Sequence, residues 1–530
     1  MPEQRVRLVG GGLALTLLLG FGVSAVHAQN LPPIAVPRLT GPIPVTPDSY
    51  PFLAASHLQE PLDLAAKGYV EEEFFVSGAA NVYDWAPDGA LTVARPRAPY
   101  TTRILVRRPA TAARFSGNVV AEVMHAPRGL DFPLMFGWMQ EAVVERGDAW
   151  VGVTMTPDAA QALKDFNPAR YAPLSWANPN PSEACGPGGR GNQAPVTSPV
   201  EEGLVWDVIS QVGALLKHGA AGGPMGGLHV EHLYMTSQDA IQVTYISAIQ
   251  SRARLADGTP VYDGHVLKSG RRAKRIRRCA PTPGDGDSRH AMRNAGMPII
   301  NVLQEGDVLG GLRERRPDGD EPADRFRLWE VAGTAHSGVS PYRWSTAAIT
   351  DHVKAGGEVV TRTFSEAIGA YTMTVPFKDP ARCQPSELVT EQPLVSYSFN
   401  AAFAAVDAWV RKGVPAPRAA RMGVVNAGTP QARLETDRHG NGVGGVRSPY
   451  VDVPSAVYHP GHGPGPGCGQ NFGYSEAFGW RQLEQMYGSY ASYAKKVSAA
   501  IDAAVKERFL TPSDAVKVRA ELFGPAGEGH

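Results

Sequence analysis

The chain has 530 residues, with 51 Lys and Arg against 51 Asp and Glu, 14 His and 4 Cys. Against a usual ~100–200 residues per domain, that length permits two or three units or one large decorated unit, and the balanced charge excludes both a dedicated nucleic-acid binder and an acidic solvating tail. At 43% hydrophobic and 19% charged the composition is globular, while 58 Gly and 45 Pro predict many turns and long loops.

Residues 1–28 read as a signal peptide. Arg5 and Arg7 precede an apolar run from Leu8 to Val26, and Val26-His27-Ala28 supplies the small-x-small ending of a cleavage site, so cleavage is expected after Ala28, with a periplasmic or secreted product. An uncleaved anchor is the less favoured reading, because the run is interrupted by Gly and sits at the short edge of the ~20 residues a spanning helix needs. In an oxidising compartment the even set Cys185, Cys279, Cys383 and Cys468, with no C-x-x-C spacing, suggests two disulfides rather than a zinc site. Local pairing would join Cys185 to Cys279 and Cys383 to Cys468, one of three possible pairings.

Residues 29–68, rich in Pro, predict an extended arm on the surface. From 69 the texture changes to short β-rich runs: Phe74-Phe75-Val76, Ile104-Leu105-Val106, Val119 to Met124 and Trp150 to Met155. Between the last two, Leu134, Trp138, Met139 and Val143 recur at helical spacing and Arg146-Gly147-Asp148 closes the turn, so strand, helix and strand form a βαβ unit and argue for a mostly parallel sheet. Residues 157–200 predict a loop excursion. Leu204, Val208, Ile209, Val212, Leu215 and Leu216 mark a further helix, and strands follow at Leu228–Met235, Pro298–Leu303 and Phe326–Val331. The α/β core is thus placed at 69–350, and 351–530 is read as an extension packed on it, with helices near 401–412, 475–507 and 512–522 and a Gly/Pro-rich loop at 437–470.

Ligands of open α/β sheets bind at the carboxyl ends of strands. Three such ends carry chemistry: Thr236-Ser237-Gln238 after one strand, Gln304-Glu305-Gly306-Asp307 after another, and Ala332-Gly333-Thr334-Ala335-His336 after a third. Nucleophile, acid and histidine leave in that order, which is the chain order of α/β-hydrolases. A serine hydroxyl needs a neutral imidazole to take its proton, and the imidazole needs a carboxylate to fix its tautomer and stabilise its charge. The candidates are Ser237, His336 and Asp307, with Glu305 and Asp263 as alternative acids. The oxyanion would be held by the N–H of Gln238 and by Ala126, with Arg128 next in line, since Pro127 has no N–H.

These stretches, with Glu122 to Gly129, the helix Phe403 to Gly413 and Asn441-Gly442-Val443-Gly444-Gly445-Val446-Arg447-Ser448-Pro449, resemble a family of exported bacterial alpha/beta hydrolase domain-containing proteins over most of the chain. The resemblance implies an α/β-hydrolase fold and a serine hydrolase activity, with no particular substrate. The chain departs from the family pattern at Met235, where the family has Gly, and at Asp239 and Ala240 beyond the serine; Asp239 sets a carboxylate beside a nucleophile that must become negative.

Other signals have simpler readings. Gly440-x-Gly442-x-x-Gly445 neither follows an apolar strand nor opens a helix, so it is a loop near the site rather than a nucleotide fingerprint. Arg271 to Arg278 reads as a solvated loop balanced by Asp285 and Asp287, and His459-Pro460-Gly461-His462 as a turn. His125 either orients substrate or simply ends a strand. The sequence therefore predicts an exported serine hydrolase of a small-molecule carboxylic ester, with 157–200, 265–295 and the C-terminal third forming the cleft. It predicts no metal or organic cofactor, no nucleic-acid partner and no membrane contact after signal cleavage. A lactonase or amidase, or a non-catalytic binding protein on the same fold, are the alternatives.

Overall fold

The computed structural model describes residues 33–126, 129–185, 195–219, 222–238, 240–293, 295–336, 342–357, 360–363, 370–373, 394–460 and 473–523. Its sheet strands are β1 (Arg38–Thr40), β2 (Tyr69–Trp85), β3 (Leu91–Pro109), β4 (Asn118–Val123), β5 (Ala149–Val153), β6 (His232–Gln238), β7 (Gly264–Lys268), β8 (Ile299–Gln304), β9 (Gly319–Glu321) and β10 (Asp324–Val331). They hydrogen-bond in the order β1-β2-β3-β5-β4-β6-β7-β8-β10-β9. From β5 to β10 every pairing is parallel, while β1, β2, β3 and β9 extend the edges antiparallel. Every residue of β4, β5, β7 and β8 is buried, because helices cover both faces of a parallel sheet. That is why these strands read in sequence as continuous apolar runs without alternation.

The helix Leu134–Arg146 links β4 to β5 and ends on Gly147, whose φ of 73° closes it with N–H bonds to Val143 and Val144 carbonyls. Its amino end is held by Glu122 of β4, which accepts from the N–H groups of Met135 and Phe136 and from Trp150 Nε1, each at 2.9 Å. The carboxylate thus satisfies orphan donors at the positive end of the helix dipole. Burial nevertheless pushes Glu122 up to about 7.

Two elements are more deeply built in than their sequence suggests. The helix Leu394–Lys412, expected in an appended region, buries Phe399, Ala402 and Val406 in the main core and stacks Phe399 on Trp138 at 5.2 Å. Its approach depends on Gly264 of β7, where a Cβ would stand 2.9 Å from Val406 Cγ2. The Pro-rich arm, expected on the surface, pairs β1 with β2 and buries Phe52, Leu53, Ala55 and Leu58. Buried Arg103 and Arg107, ion-paired within the sheet to Glu73 and Glu71, also donate to the carbonyls of Phe52 and Leu53, so the arm satisfies guanidinium donors that the sheet carboxylates do not reach.

The predicted helix near 475–507 is two, Trp480–Tyr487 and Tyr490–Lys506, broken at Gly488 and restarted by the Ser489 hydroxyl, which accepts from the Ser492 N–H. With Pro512–Phe523 they enclose a small core of Val497, Ile501 and Val518. A disulfide joins Cys185 to Cys279, the local pairing; Cys383 and Cys468 lie outside the described residues, as does the signal segment 1–28. Among the described residues no helix is long and apolar enough to cross a membrane.

Candidate active site

β8 and β10 run side by side with Val331 opposite Gln304, so the turns after both strands emerge at one edge. The two turns dock by backbone chemistry. Gly333 N–H donates to Glu305 Oε2 (2.7 Å), Glu305 N–H to Thr334 Oγ1 (3.2 Å) and Gly306 N–H to the Thr334 carbonyl (3.1 Å). Gly333 takes a φ of 76°, which a side chain would resist. This docking sets His336 Nδ1 at 2.8 and 2.9 Å from the two oxygens of Asp307. The Ser269 hydroxyl donates to Asp307 Oδ2 at 2.5 Å. Burial alone would raise the Asp307 carboxyl, but the hydrogen bond and charge of His336, with Lys268 and Ser269, outweigh it and hold the group well below the usual carboxylate range. An ionised Asp307 fixes the imidazole proton on Nδ1 and leaves Nε2 as the free base.

Ser237 sits one strand pair away. β6 does not stop at Met235 but continues to Gln238, with Ser237 in register with Val123 of β4 and Leu267 of β7. Its side chain is buried, and its hydroxyl donates to Gln242 Oε1 at 3.0 Å. Gln242 Nε2 donates to the Met235 carbonyl (2.9 Å) and lies 3.2 Å from His265 Nδ1, and His265 Nε2 lies 3.0 Å from Gln250 Oε1. Complete burial pushes His265 down to about 3, so this chain of groups is neutral. The second nitrogen of His336 meets the amide of Gln238, with Nε2 to Nε2 at 3.3 Å.

The structure therefore brings Asp307 and His336 together, while among the described residues no hydrogen bond joins His336 to Ser237. Gln238 is the last strand residue rather than the first turn of a helix, and the helix Ala240–Thr244 follows after Asp239, which lies outside the described residues. Ala126 follows the bridge between His125 and Phe132 beyond β4; Pro127 and Arg128 lie outside the described residues.

The alternative acids have other partners. Glu305 holds Gly333 in place, and burial pushes it up to about 7. Asp263 lies at the amino end of β7, on the opposite edge of the sheet from the Asp307–His336 pair, accepting from Leu233 N–H and Lys217 Nζ, both at 2.8 Å.

A cavity of about 520 Å³ adjoins the dyad, lined by Arg271, Glu305, Asp307 and His336 from the sheet's strand ends and by Arg433, Tyr458 and His459 from the C-terminal region. The C-terminal loop reaches it because Val446 bridges to Val331 at the end of β10, and because buried Asn441 clamps the hairpin strand Ala456–His459, donating to the Ala456 carbonyl and accepting from Tyr458 N–H. Of the expected cleft segments, 265–295 and the C-terminal third contribute, and no described residue of 157–200 lines this cavity. Sequence reasoning missed Arg271, Arg433 and His459 as lining residues. The basic run is no solvated loop: Arg272 does pair with Asp285, but Arg275 pairs with Glu202 and Arg277 with Asp84 and Glu183. Its one signal was that Arg271 follows two residues beyond β7, at the carboxyl edge. Among the described residues no cluster of His, Cys, Asp and Glu has the makings of a metal site.

A family model described as an alpha/beta hydrolase domain matches residues 39–520. A comparison with curated proteins finds no match. Among solved structures, a fungal esterase from Rhizomucor miehei is 11% identical, with 56% of this chain and 88% of that chain covered and a TM-score of 0.29. The esterase Est22 is 10% identical (55% and 81% covered, TM-score 0.29) and a glucuronoyl esterase from Solibacter usitatus 10% identical (50% and 77% covered, TM-score 0.25).

Proposed function

The chain belongs to the alpha/beta hydrolase family, and from that premise we propose that it is an exported serine hydrolase of carboxylic esters working through an acyl-enzyme. Ser237 is the nucleophile, His336 the base and then the acid, and Asp307 the carboxylate that orients it. The observation that carries the reading is the His336–Asp307 pair at 2.8 Å beneath a cavity at the carboxyl edge of a parallel sheet. Nε2 of the same imidazole meets the side-chain amide of Gln238, the residue after Ser237. Attack requires two hydrogen bonds to exchange: the Ser237 hydroxyl leaves Gln242, and the Gln238 amide withdraws from Nε2. The serine oxygen then adds to the ester carbonyl as its proton passes to His336, and N–H groups of Gln238 and Ala126 take the oxyanion. Collapse expels the alcohol with that proton, and a water activated by His336 releases the acid.

A non-catalytic binding protein is the second reading, favoured by the engagement of Ser237 with Gln242 rather than His336. A fluorophosphonate probe separates the two. Stoichiometric labelling of the wild-type protein, lost in Ser237→Ala and His336→Ala, is the expected result. An unlabelled wild type that also leaves p-nitrophenyl esters intact would overturn the catalytic reading.

A further inference from the structure

Resting on that hydrolase reading, we propose that the substrate is an ester carrying a free carboxylate held by Arg271 and Arg433, two cations that line the same cavity. Arg271 is placed there by the fold. Its guanidinium lies against Gly310, where a Cβ would collide with Nη1, and its stem passes Gly311, where a Cβ would stand 3.2 Å from Cδ. The arginine side chain thus packs closely along this glycine pair. One nitrogen of Arg271 is 3.8 Å from Asp307 Oδ1, the outer limit of an ion pair, and both Asp307 oxygens are already occupied by His336 and Ser269. Most of the five guanidinium donors thus remain for a ligand, and the side chain is 31% exposed at the cavity wall.

Arg433 lines the same cavity from the hairpin Val424–Val425 and Arg433–Leu434, exposed and with no ion pair among the described residues.

The lining offers little to neutralise these two cations. Asp307 is committed to the dyad. Glu305, pushed up to about 7 by burial, carries only part of a charge near neutral pH. His459 lies 3.5 Å from Glu476, itself on the outer strand of its hairpin. The segments 337–341 and 461–472, which adjoin the site in sequence and lie outside the described residues, contain no Asp or Glu. Asp239, which follows Gln238 in sequence, also lies outside the described residues. A carboxylate matches the planar fork of arginine with two parallel hydrogen bonds, and Leu309, Leu434 and Tyr458 supply apolar surface for a short spacer.

The test compares mono-p-nitrophenyl glutarate with p-nitrophenyl valerate, which differ by a carboxylate in place of a methyl group. The wild-type chain should favour the glutarate ester in kcat/KM by roughly tenfold or more, the worth of a charged hydrogen-bonded contact. In Arg433→Gln and Arg271→Gln that preference should fall toward unity, mainly through KM, and Arg433→Lys should restore part of it. Binding without turnover is read by calorimetry with glutaranilic acid against valeranilide, the acid binding more tightly. Esters cleaved with no preference, or a preference untouched by both substitutions, would overturn the anion site and leave the hydrolase reading standing. Neither ester cleaved, with the acid anilide still preferred and that preference lost in Arg433→Gln, would keep the anion site and sink the hydrolysis.

Discussion

Ser269 holds a φ of 53°, a left-handed conformation that costs a residue with a Cβ roughly 1–2 kcal/mol. The cost persists because that turn after β7 aims the hydroxyl at Asp307, where it helps keep the carboxylate ionised. Glu305 shows the opposite balance. Its folded carboxyl stands at about 7 against 4.5 for the free group, with burial as the largest cause. The unfolded chain therefore releases the proton first, and between about 4.5 and 7 the folded state binds more protons, so stability falls as pH rises through that window. The contribution is whole below the lower value and lost above the upper one. Glu305→Gln keeps an acceptor for Gly333 N–H and cannot ionise. Its urea midpoint relative to wild type should therefore climb from about pH 5 to about pH 8; a flat difference would show that Glu305 is not the titrating group. Neither effect was legible in the sequence, where Glu305 was only a second candidate acid beside Asp307. The choice between them came from which carboxylate the Gly333 turn occupies.

At the scale of elements, the fully buried cluster around Glu73 does what no single strand could. Arg103 Nε and Tyr171 donate to one oxygen and Arg170 Nε to the other, at 2.7 to 2.8 Å, tying the β2–β3 hairpin to the excursion at 157–200. Arg170 also donates to the Pro44 carbonyl, bringing in the arm. Removing one partner of such a set leaves buried charges uncompensated, so Glu73→Ala should cost about 3–5 kcal/mol in denaturant unfolding. A loss below about 1 kcal/mol would mean that water reaches the two arginines. The excursion, read from sequence as part of the cleft, is thereby assigned to the framework. β6 shows a second limit of sequence reading. Its apolar run suggests an end at Met235, yet pairing with β4 on one side and β7 on the other carries it to Gln238. The length of a central strand is set by its neighbours' registers, and those three residues decide whether Ser237 stands on a turn or in a ladder.

For the whole molecule, the Cys185–Cys279 bond spans a separation of 94 residues, joining the excursion to the arginine-rich segment. Closing a loop of that size restricts the unfolded chain by about 4.7 kcal/mol in the chain-entropy picture. The double variant Cys185→Ser with Cys279→Ser should lose about that much, with a lower midpoint in thermal unfolding; no change would mean that the ion pairs of Arg277 and the hydrogen bonds of Arg278 to the Val196 and Glu183 carbonyls already hold the segment.

Much was written in the sequence. Continuous apolar runs alternating with 3.6-residue periodicity required a covered parallel sheet, and the residues after three strands named Asp307 and His336, which meet, in the chain order of the fold. The sequence left three cysteine pairings open, and the structure joins Cys185 to Cys279. What only the tertiary structure decided was the company each group keeps. It set Ser237 against Gln242 and Gln238 against His336, it made the helix Leu394–Lys412 a layer of the core, and it carried Arg271 and Arg433, 162 positions apart by their numbers, into the lining of one cavity. Periodicity and turn chemistry are local and survive in any fold of the chain. Partners drawn from distant segments depend on register and packing, which exist only once the sheet has formed.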